Sequence, residues 1–363
     1  MKSIGIEFLQ PGLVLKENIY NHDGTIILLA AGSALTDKAI EKIKKFNESE
    51  NNVKVPGKLY EDLMDKGMPM KYNQHYLEDT VGYTRIKEAT KEMLDIVKIT
   101  NEVPYEQVCD IGNLLMERLN ITEPALLFQC INGNNEIDEY LYRHSVNVAI
   151  INGLMGKWLR LSESEIQNLV LLGIVHDIGK TKVPNEILNS PGRLTPEEFE
   201  IVKRHALFSH EILSNNKSFC DSISKSARCH HEKMNGSGYP DGLVADDIPF
   251  YARITAISDV YDAMVSQRSY KKAQSPFTVL MQLKTEQFSG LDIRLVNLFF
   301  DSMPPELLGK QILLSNGMIG IVRHISDANI EYPIVEIHGE VVVTNKDLYC
   351  VCMVIPSDSL KNA

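Results

Sequence analysis

The spacing of hydrophobic and polar residues changes twice along the chain, and these changes predict three structural units. Within residues 1–58, a short alternating stretch, an Asp-Gly turn signal at 23–24 and a segment with one apolar helical face predict a small α+β unit. Residues 80–305 carry apolar positions at helical spacing almost throughout, which predicts a helical domain. Residues 306–363 alternate with a period of two, and the Asn-Gly pair at 316–317 between apolar runs predicts a β-hairpin.

The predicted fold is therefore mainly α. We place a small N-terminal α+β unit at 1–58, a linker at 59–79, a helical domain at 80–305 and a small C-terminal β unit at 306–363. Both small units either regulate the helical domain or only cap it, and we favour the second alternative. Within the helical domain, Thr195, Pro196 and Glu198 form the pattern of a helix start, which places His205 on a helix.

Composition and charge narrow the class of protein. Of the 363 residues, 44% are hydrophobic and 23% are charged, which is typical of a folded globular protein. The net charge of −11 argues against non-specific binding to a nucleic acid polymer or to an anionic membrane, because both carry phosphates. The six cysteines include no CxxC pair, and the chain shows neither a signal-peptide pattern nor a long apolar run. We therefore expect a cytoplasmic protein with reduced cysteines.

Histidine and aspartate residues cluster in the helical domain. Six of the ten histidines fall between positions 144 and 231. The candidate metal ligands are His144, His176, Asp177, His205, His230, His231 and Asp259. Any one of these histidines alone reads as an ordinary core or surface residue, but such clustering is not expected by chance. His210 is excluded because it is five residues beyond His205, on a different helical face.

These seven groups predict two metal ions. Imidazole and carboxylate are the ligands that borderline divalent metals prefer, and seven ligands exceed the four that one tetrahedral site takes. A carboxylate has two oxygens and can therefore join two metals. Asp177, with candidate ligands on both sides in the sequence, is the best choice for this bridge.

Five stretches carry these candidate ligands. They are RHSVNVA at 143–149, GIVHDIGK at 173–180, KRHALFSHEIL at 203–213, HHEKMNGSGYPDGL at 230–243 and ISDVYDAMVSQRSYKKA at 257–273. Together they resemble the HD-GYP phosphodiesterases, a family within the HD metal-dependent phosphohydrolases. The resemblance implies a helical HD-type catalytic domain at 80–305, flanked by the two small units. It also implies hydrolysis of cyclic di-GMP, a bacterial signalling nucleotide, to pGpG, and leaves open whether the reaction continues to GMP.

The resemblance further implies which residues hold each metal. One ion would be held by His144, His176, Asp177 and Asp259, and the other by Asp177, His205, His230 and His231. Two divalent ions per chain are expected, with iron favoured and manganese as the alternative. Some family members hold a third metal through a glutamate four residues before the first ligand histidine. This chain has Tyr140 at that position, so we predict a two-metal site.

The expected chemistry needs a nucleophile and positive charge. Two metals about 3.5–4 Å apart lower the pKa of a bridging water, so a metal-bridging hydroxide is the expected nucleophile. Asp177 and Lys180 are the predicted catalytic residues, with Lys180 stabilising developing negative charge on the substrate. The alternative for Lys180 is an exposed lysine at a helix end. Asp262 either orients Lys180 or a ligand histidine, or forms an ordinary salt bridge.

Four residues are predicted to bind the substrate. They are Lys180, Arg268, Lys271 and Tyr239. Arg268 and Lys271 match the phosphate contacts of the family, although solvent-exposed charges are the alternative. Tyr239, in the Gly-Tyr-Pro stretch 238–240, is expected beside a guanine, unless this loop only supports the metal histidines. Ser269 stands where the family commonly has proline, which changes the loop without removing a functional group.

The leading hypothesis is a two-metal cyclic di-GMP phosphodiesterase. One alternative is a phosphohydrolase of another nucleotide, and a preference for cyclic GMP-AMP is also open. A non-catalytic signalling module that binds cyclic dinucleotides or proteins is the alternative from another class, and it would show degenerate metal ligands, which we do not find. The expected partners are cyclic di-GMP as a small-molecule substrate and either a second copy of the chain or a signalling protein.

Overall fold

The computed structural model describes residues 82–133, 140–188, 190, 192, 194–266, 274–284, 290–326 and 329–354, together with four short strands before residue 56. The chain divides into two compact units, one made of residues 1–76 with 356–363 and the other of residues 77–355. In the first unit, β1 (Lys2–Gly5) pairs antiparallel with β4 (Asn52–Val55), and β2 (Ile19–Tyr20) pairs with β3 (Ile27–Leu29). The domain boundaries predicted at 58, 79 and 305 stay predictions.

The second unit is mainly helical, as predicted. Its described part contains twelve α-helices: α1 (Tyr83–Thr100), α2 (Tyr105–Ile121), α3 (Pro124–Gly133), α4 (Tyr140–Trp158), α5 (Glu163–Val175), α6 (Asn185–Leu188), α7 (Pro196–Lys203), α8 (His205–Asn215), α9 (Asp221–Cys229), α10 (Phe250–Val265), α11 (Pro276–Leu283) and α12 (Ile293–Leu307). Within the ranges that the structure describes, none of these helices combines the length and the apolar character that crossing a membrane requires.

The C-terminal sheet lies in the same compact unit as the helices. Its strands are β5 (Gln311–Leu314), β6 (Ile319–His324), β7 (Ile334–Ile337), β8 (Glu340–Val343) and β9 (Cys350–Val354), in the antiparallel order β8-β7-β6-β5-β9. The predicted hairpin is confirmed, because β5 and β6 flank a turn in which Gly317 has a φ of 83°. An ion pair of 3.2 Å between Lys310 and Glu123 connects the start of the sheet to the start of α3.

Two close contacts bring the elements of the functional site together. A Cβ atom on Gly173 of α5 would lie 2.3 Å from the Cα atom of Ala149 on α4. A Cβ atom on Gly179 would lie 2.0 Å from the carbonyl oxygen of His205 at the start of α8. Any larger side chain would push these elements apart, since atoms in a protein interior are already in van der Waals contact. Glycine at both positions therefore keeps the histidine-bearing elements close.

The helix start predicted at Thr195 is confirmed. The Thr195 side chain accepts a hydrogen bond from the Glu198 amide, and the Glu198 carboxylate accepts one from the Thr195 amide. This capping box satisfies two amides that the first helical turn leaves without partners. His205 also lies on a helix, as predicted, but it opens α8 after a break at Arg204.

The segment after α5 departs from a simple continuation of the helix. The α-helix ends at Val175, and Ile178–Lys182 forms a 3₁₀ turn. A 3₁₀ turn has about three residues per turn, so residues three apart lie on the same side. Lys180 therefore faces Asp177, with which it forms an ion pair.

Candidate metal centre

The seven predicted ligands lie together in the second unit, although they come from five separate parts of the chain. Two groups form, and in each the potential ligand atoms all lie within 4.8 Å of one another. The first group is His144, His176 and Asp259, and the second is Asp177, His205, His230 and His231. Of the six histidines between positions 144 and 231, five belong to these groups. His210 lies outside both, as predicted, with its Nδ1 3.1 Å from the carbonyl oxygen of Ser224.

Asp177 lies between the two groups and directs one oxygen to each. Its Oδ2 is 3.3 Å from Nε2 of His144 and 3.4 Å from Nε2 of His176. Its Oδ1 is 3.1 Å from Nε2 of His205 and 3.6 Å from Nε2 of His230. This arrangement is the one that a carboxylate bridging two metal ions requires.

Asp259 also contacts both groups. Its Oδ1 is 3.2 Å from Nε2 of His144, and its Oδ2 is 3.6 Å from Nδ1 of His231. His231 in turn lies with its Nε2 3.1 Å from Nε2 of His205. Two carboxylates therefore line the boundary between the groups.

Three of the histidines are oriented by backbone carbonyls close to them in the sequence. The Nδ1 atoms of His176, His205 and His230 lie 2.8, 2.6 and 2.7 Å from the backbone carbonyl oxygens three residues earlier. A carbonyl oxygen only accepts hydrogen bonds, so Nδ1 carries the proton in each ring. The Nε2 lone pair is then free to bind a metal, and its direction is fixed.

His144 is oriented by a side chain instead. Its Nδ1 donates to Oδ2 of Asp262 at 2.7 Å, while Asn147 and Ser266 donate to Oδ1 of the same carboxylate at 2.6 and 3.0 Å. Asp262 is fully buried on α10, three residues after Asp259. Of the alternatives left open for Asp262, the structure shows contact with a histidine of the cluster.

The protonation states of most of these groups suit metal binding. Burial lowers the pKa of His176 and His205, and burial together with the neighbouring His230 holds the pKa of His231 well below its usual range. Burial raises the pKa of Asp177, but Lys180 and the surrounding histidines outweigh it, so the net pKa is well below the usual range. Neutral imidazoles and ionised carboxylates are the forms that bind metals.

His144 differs because several carboxylates surround it. Burial disfavours its charged form, but hydrogen bonds to Asp177, Asp259 and Asp262 outweigh burial and raise the pKa of this imidazole to about 10. The carboxylates therefore stabilise positive charge at this point in the interior. A divalent cation would supply that charge and displace the proton from Nε2.

Two buried atoms of the cluster indicate that a cation fits there. Among the described residues, Oδ1 of Asp177 and Nε2 of His230 are buried without a hydrogen-bond donor or acceptor partner. A buried carboxylate oxygen without a partner is costly, and native structures pair such atoms or bind them to metals. The histidine nitrogens and carboxylate oxygens form a donor set suited to divalent metals such as iron, manganese or zinc.

Lys180 lies at the partly open side of the cluster. Its ammonium group contacts Oδ2 of Asp177, and its side chain is 17% exposed while that of Asp177 is 1% exposed. Lys182, two residues further on, points to Glu211 instead, at 3.3 Å. Lys180 therefore contacts both the cluster and solvent.

Of the other predicted substrate-binding residues, the structure describes Tyr239 but not Arg268 or Lys271. The ring of Tyr239 lies with its centroid 4.7 Å from that of His231, and burial raises the pKa of its hydroxyl group. Arg268 and Lys271 lie outside the described residues, as does Ser269. The side chain of Tyr140 is also outside the described part, so the expected absence of a third metal stays a prediction.

Sequence reasoning missed the residue that organises the Gly-Tyr-Pro loop. The carboxylate of Glu232 is buried and accepts hydrogen bonds from the backbone amides of Asp241, Gly242 and Leu243 at 2.6, 3.1 and 3.1 Å. A Cβ atom on Gly238 would lie 2.4 Å from the Lys233 amide nitrogen, so the loop folds tightly onto this stretch. The position of Glu232 directly after His230 and His231 was the available signal in the sequence. Its partners are backbone amides, however, and backbone partners leave no pattern in the sequence.

Comparisons with known proteins agree with the resemblance. A model of the HD domain family matches residues 135–294, a range that contains all seven clustered residues. A cyclic di-GMP phosphodiesterase of Pseudomonas aeruginosa is 34% identical over 185 residues, which are 51% of this chain and 44% of that protein. A 3'3'-cGAMP-specific phosphodiesterase of Vibrio cholerae is 31% identical over 223 residues, which are 61% of this chain and 42% of that protein. The chain thus spans less than half the length of these two relatives.

A solved structure shares the fold. The chain resembles an HDG"Y"P protein of Bdellovibrio bacteriovorus with a TM-score of 0.51 and 17% sequence identity, over 84% of this chain and 99% of that chain. At this identity the likeness bears on fold alone. It agrees with the mainly helical fold that the hydrophobic pattern predicts.

Proposed function

We propose that this chain, whose residues 135–294 belong to the HD domain family, is a two-metal phosphodiesterase that hydrolyses cyclic di-GMP to pGpG. Whether a second cleavage continues to GMP is part of what the test below decides. One observation carries the proposal: the two oxygens of Asp177 face two separate groups of buried histidines. The name of the Pseudomonas aeruginosa relative supports the choice of substrate.

The proposed metal ligands are the clustered residues. His144, His176, Asp177 and Asp259 would hold one ion, and Asp177, His205, His230 and His231 the other. Bound divalent ions would supply Lewis acidity at this centre, which lowers the pKa of water and neutralises charge on phosphate oxygens. Iron is the proposed metal and manganese the alternative, since mixed nitrogen and oxygen ligands suit both.

The surrounding residues prepare the centre for a phosphate ester. The carbonyl-bound histidines hold their Nε2 atoms in fixed directions, which reduces the reorganisation needed when substrate binds. The ammonium group of Lys180 is held beside Asp177 and reaches the open side of the cluster. There it would stabilise negative charge that develops on the phosphate oxygens, which is the catalytic role we propose for it.

An aromatic surface beside the centre supports binding of a purine nucleotide. Tyr239 packs against His231, and the exposed ring of Phe199 lies edge-on to Tyr239 at 6.5 Å between centroids. The Nζ atom of Lys203 lies 5.7 Å from the centre of the Tyr239 ring. Aromatic rings next to a cation are the usual surface on which nucleobases stack. We propose that Tyr239 contacts a guanine, and that Arg268 and Lys271 contact the substrate phosphates.

Cyclic GMP-AMP is a second candidate substrate. The match to the Vibrio cholerae 3'3'-cGAMP-specific enzyme covers 61% of this chain, against 51% for the Pseudomonas aeruginosa enzyme. Both molecules are cyclic dinucleotides that carry two phosphodiester bonds, so the same metal centre suits either. A non-catalytic module is disfavoured because all seven predicted ligands are present in one cluster.

The test is an assay of the anaerobically purified chain with cyclic di-GMP and with 3'3'-cyclic GMP-AMP, and metal content is measured on the same sample. We expect about two divalent metal ions per chain and conversion of cyclic di-GMP to pGpG, or to pGpG and GMP, resolved by chromatography. Two bound metals with both cyclic dinucleotides left intact would contradict the proposal and favour another phosphate ester or a binding module. Faster hydrolysis of the mixed ring would replace the proposed substrate with the second candidate.

A further inference from the structure

A buried chain of hydrogen bonds extends from the candidate metal centre to the first helix of its structural unit. Tyr83, the first residue of α1, donates its hydroxyl proton to Oδ1 of Asn147 at 2.6 Å. Asn147 on α4 donates from Nδ2 to Oδ1 of Asp262 at 2.6 Å, and Asp262 accepts from His144 at 2.7 Å. All four residues are at most 2% exposed. The chain of contacts therefore joins three helices that are distant in sequence.

We propose that Tyr83 and Asn147 are positioning residues that fix Asp262, and through it His144, at one of the two metal positions. This inference rests on the two-metal centre proposed above, but not on the identity of the substrate. The hydrogen bonds of Tyr83 and Asn147 described above lead to His144 through Asp262, and Asn147 also lies three residues after His144 on α4.

The role of Tyr83 follows from the chemistry of the asparagine amide. An amide has an oxygen that accepts and a nitrogen that donates, and the two ends have nearly the same shape. The Asp262 carboxylate only accepts, so the nitrogen of Asn147 has to face it. The Tyr83 hydroxyl donates to the oxygen at the other end and so stabilises this one orientation over its flipped alternative.

The role of Asn147 follows from the burial of Asp262. A buried carboxylate is stable only when hydrogen-bond donors surround it, and among the described residues the donors to Asp262 are Asn147, Ser266 and His144. With donors on both oxygens the carboxylate plane is fixed. Loss of the Asn147 contact lets the carboxylate rotate, and the His144 ring loses its fixed partner.

The effect is expected at one metal position only. His176, His205 and His230 are oriented by backbone carbonyls and not by Asp262. Substitution of a residue that orients a metal-binding histidine typically lowers metal affinity by about 10–100-fold. Weakening the contact to His144 should therefore lower affinity for one ion and leave the other ion unchanged.

The experiment is a titration of the metal-free full-length chain with Mn²⁺, comparing wild type, Tyr83→Phe and Tyr105→Phe. Tyr105 is the control, because it lies on another helix, α2, where its ring packs edge-on against Phe219 with centroids 4.9 Å apart. We expect two equivalents to bind to wild type and to Tyr105→Phe. In Tyr83→Phe one equivalent should bind as in wild type, and the second about tenfold or more weakly.

Thermal unfolding of the metal-free proteins separates a positioning role from a structural one. Tyr83→Phe loses a buried hydrogen bond, so it should unfold at a somewhat lower temperature than wild type whether or not Tyr83 positions a metal ligand. A structural role for Tyr83 alone would predict no selective change in metal affinity. If Tyr83→Phe does not fold, Asn147→Leu breaks the network one step closer to the metal centre, because it removes the hydrogen bond to Asp262 with a side chain of similar size. The same loss at one metal position is expected.

A double-mutant cycle identifies the residue through which Tyr83 acts. In the His144→Ala background, Tyr83→Phe should cause no further loss of Mn²⁺ affinity, because the residue it positions is gone. In the His231→Ala background the two losses should add. Wild-type affinity for both equivalents in Tyr83→Phe and in Asn147→Leu, or full additivity with His144→Ala, would overturn the inference. Because no substrate is used, these outcomes are independent of whether cyclic di-GMP is hydrolysed.

Discussion

The histidines of the candidate metal centre are held in two different ways. His176, His205 and His230 each donate to a carbonyl oxygen three residues earlier in their own segment. His144 donates to Asp262, which is 118 positions away in the sequence and on another helix. The first arrangement is local and follows from helix geometry. The second depends on how three helices pack, so we expect it to be more sensitive to changes elsewhere in the protein.

The two arrangements meet at Asp177. One of its oxygens faces His144 and His176, and the other faces His205 and His230. The locally held and the remotely held ligands are therefore expected to share one bridging carboxylate. Four substitutions test whether locally and remotely held ligands behave differently. They are made at the bridging carboxylate, at its lysine partner, at the remote contact of His144 and at the start of a local helix.

The largest effect is expected for Asp177→Ala. Because both groups of ligands depend on this carboxylate, the variant should lose both metal ions, and hydrolysis of cyclic di-GMP should fall by about 10³-fold or more. Metal content and hydrolysis rate are measured on the same preparation. Asp241→Ala is the control, since its carboxylate pairs with Arg228 at 2.7 Å, apart from the metal cluster. An Asp177→Ala protein that keeps either ion would show that the two groups are not joined by this residue.

The next largest effect is expected for Lys180→Met. Lysine is not a predicted ligand, so both metals should remain, while kcat should fall by about 10²–10³-fold because a charge-stabilising group is lost. Lys182→Met is the matched control, since this lysine pairs with Glu211 and not with Asp177. The two variants are compared by steady-state kinetics and metal analysis. Equal kcat values for the two variants would remove the catalytic role of Lys180.

A smaller effect, restricted to one metal position, is expected for Asp262→Asn. The amide keeps the shape of the carboxylate but removes the charge that holds the His144 ring, so affinity for one of two Mn²⁺ ions should fall by about 10–100-fold. Asp292→Asn is a matched control, because Asp292 is also buried and hydrogen-bonded, but to Arg253 and Arg294. Equal weakening of both ions would mean that His144 is not held separately from the carbonyl-bound histidines.

The same comparison explains what could be predicted from the sequence. The motifs predicted the seven clustered residues, and the structure brings them together. Helix starts and the hairpin were also predictable, since capping boxes and Asn-Gly turns depend on neighbouring residues. The contacts of His176, His205 and His230 with carbonyls three residues earlier likewise depend only on neighbouring residues.

The remote contacts were predictable only in part. A contact between Asp262 and a ligand histidine was one of the alternatives, but the sequence carries no sign of which helices will meet. Tyr83 and Asn147 are 64 positions apart, and neither lies in a charged or aromatic pattern that suggests a pair. The 3₁₀ turn at Ile178–Lys182 was missed for a similar reason. The close contact of Gly179 with the His205 carbonyl is visible only once α8 is in place.

The smallest effect is expected for Thr195→Ala, which removes the capping box at the start of α7. Loss of such a cap typically costs about 1 kcal/mol, so the free energy of unfolding should fall by about that amount in thermal or denaturant unfolding. Metal affinity should stay at the wild-type value, because the carbonyl of Val202 that orients His205 is at the opposite end of α7. Ser162→Ala, at the capping box of α5, is the parallel variant and should behave in the same way. A fall in Mn²⁺ affinity in either variant would show that the carbonyl-bound histidines depend on distant parts of their helices, and the distinction between local and remote positioning would then fail.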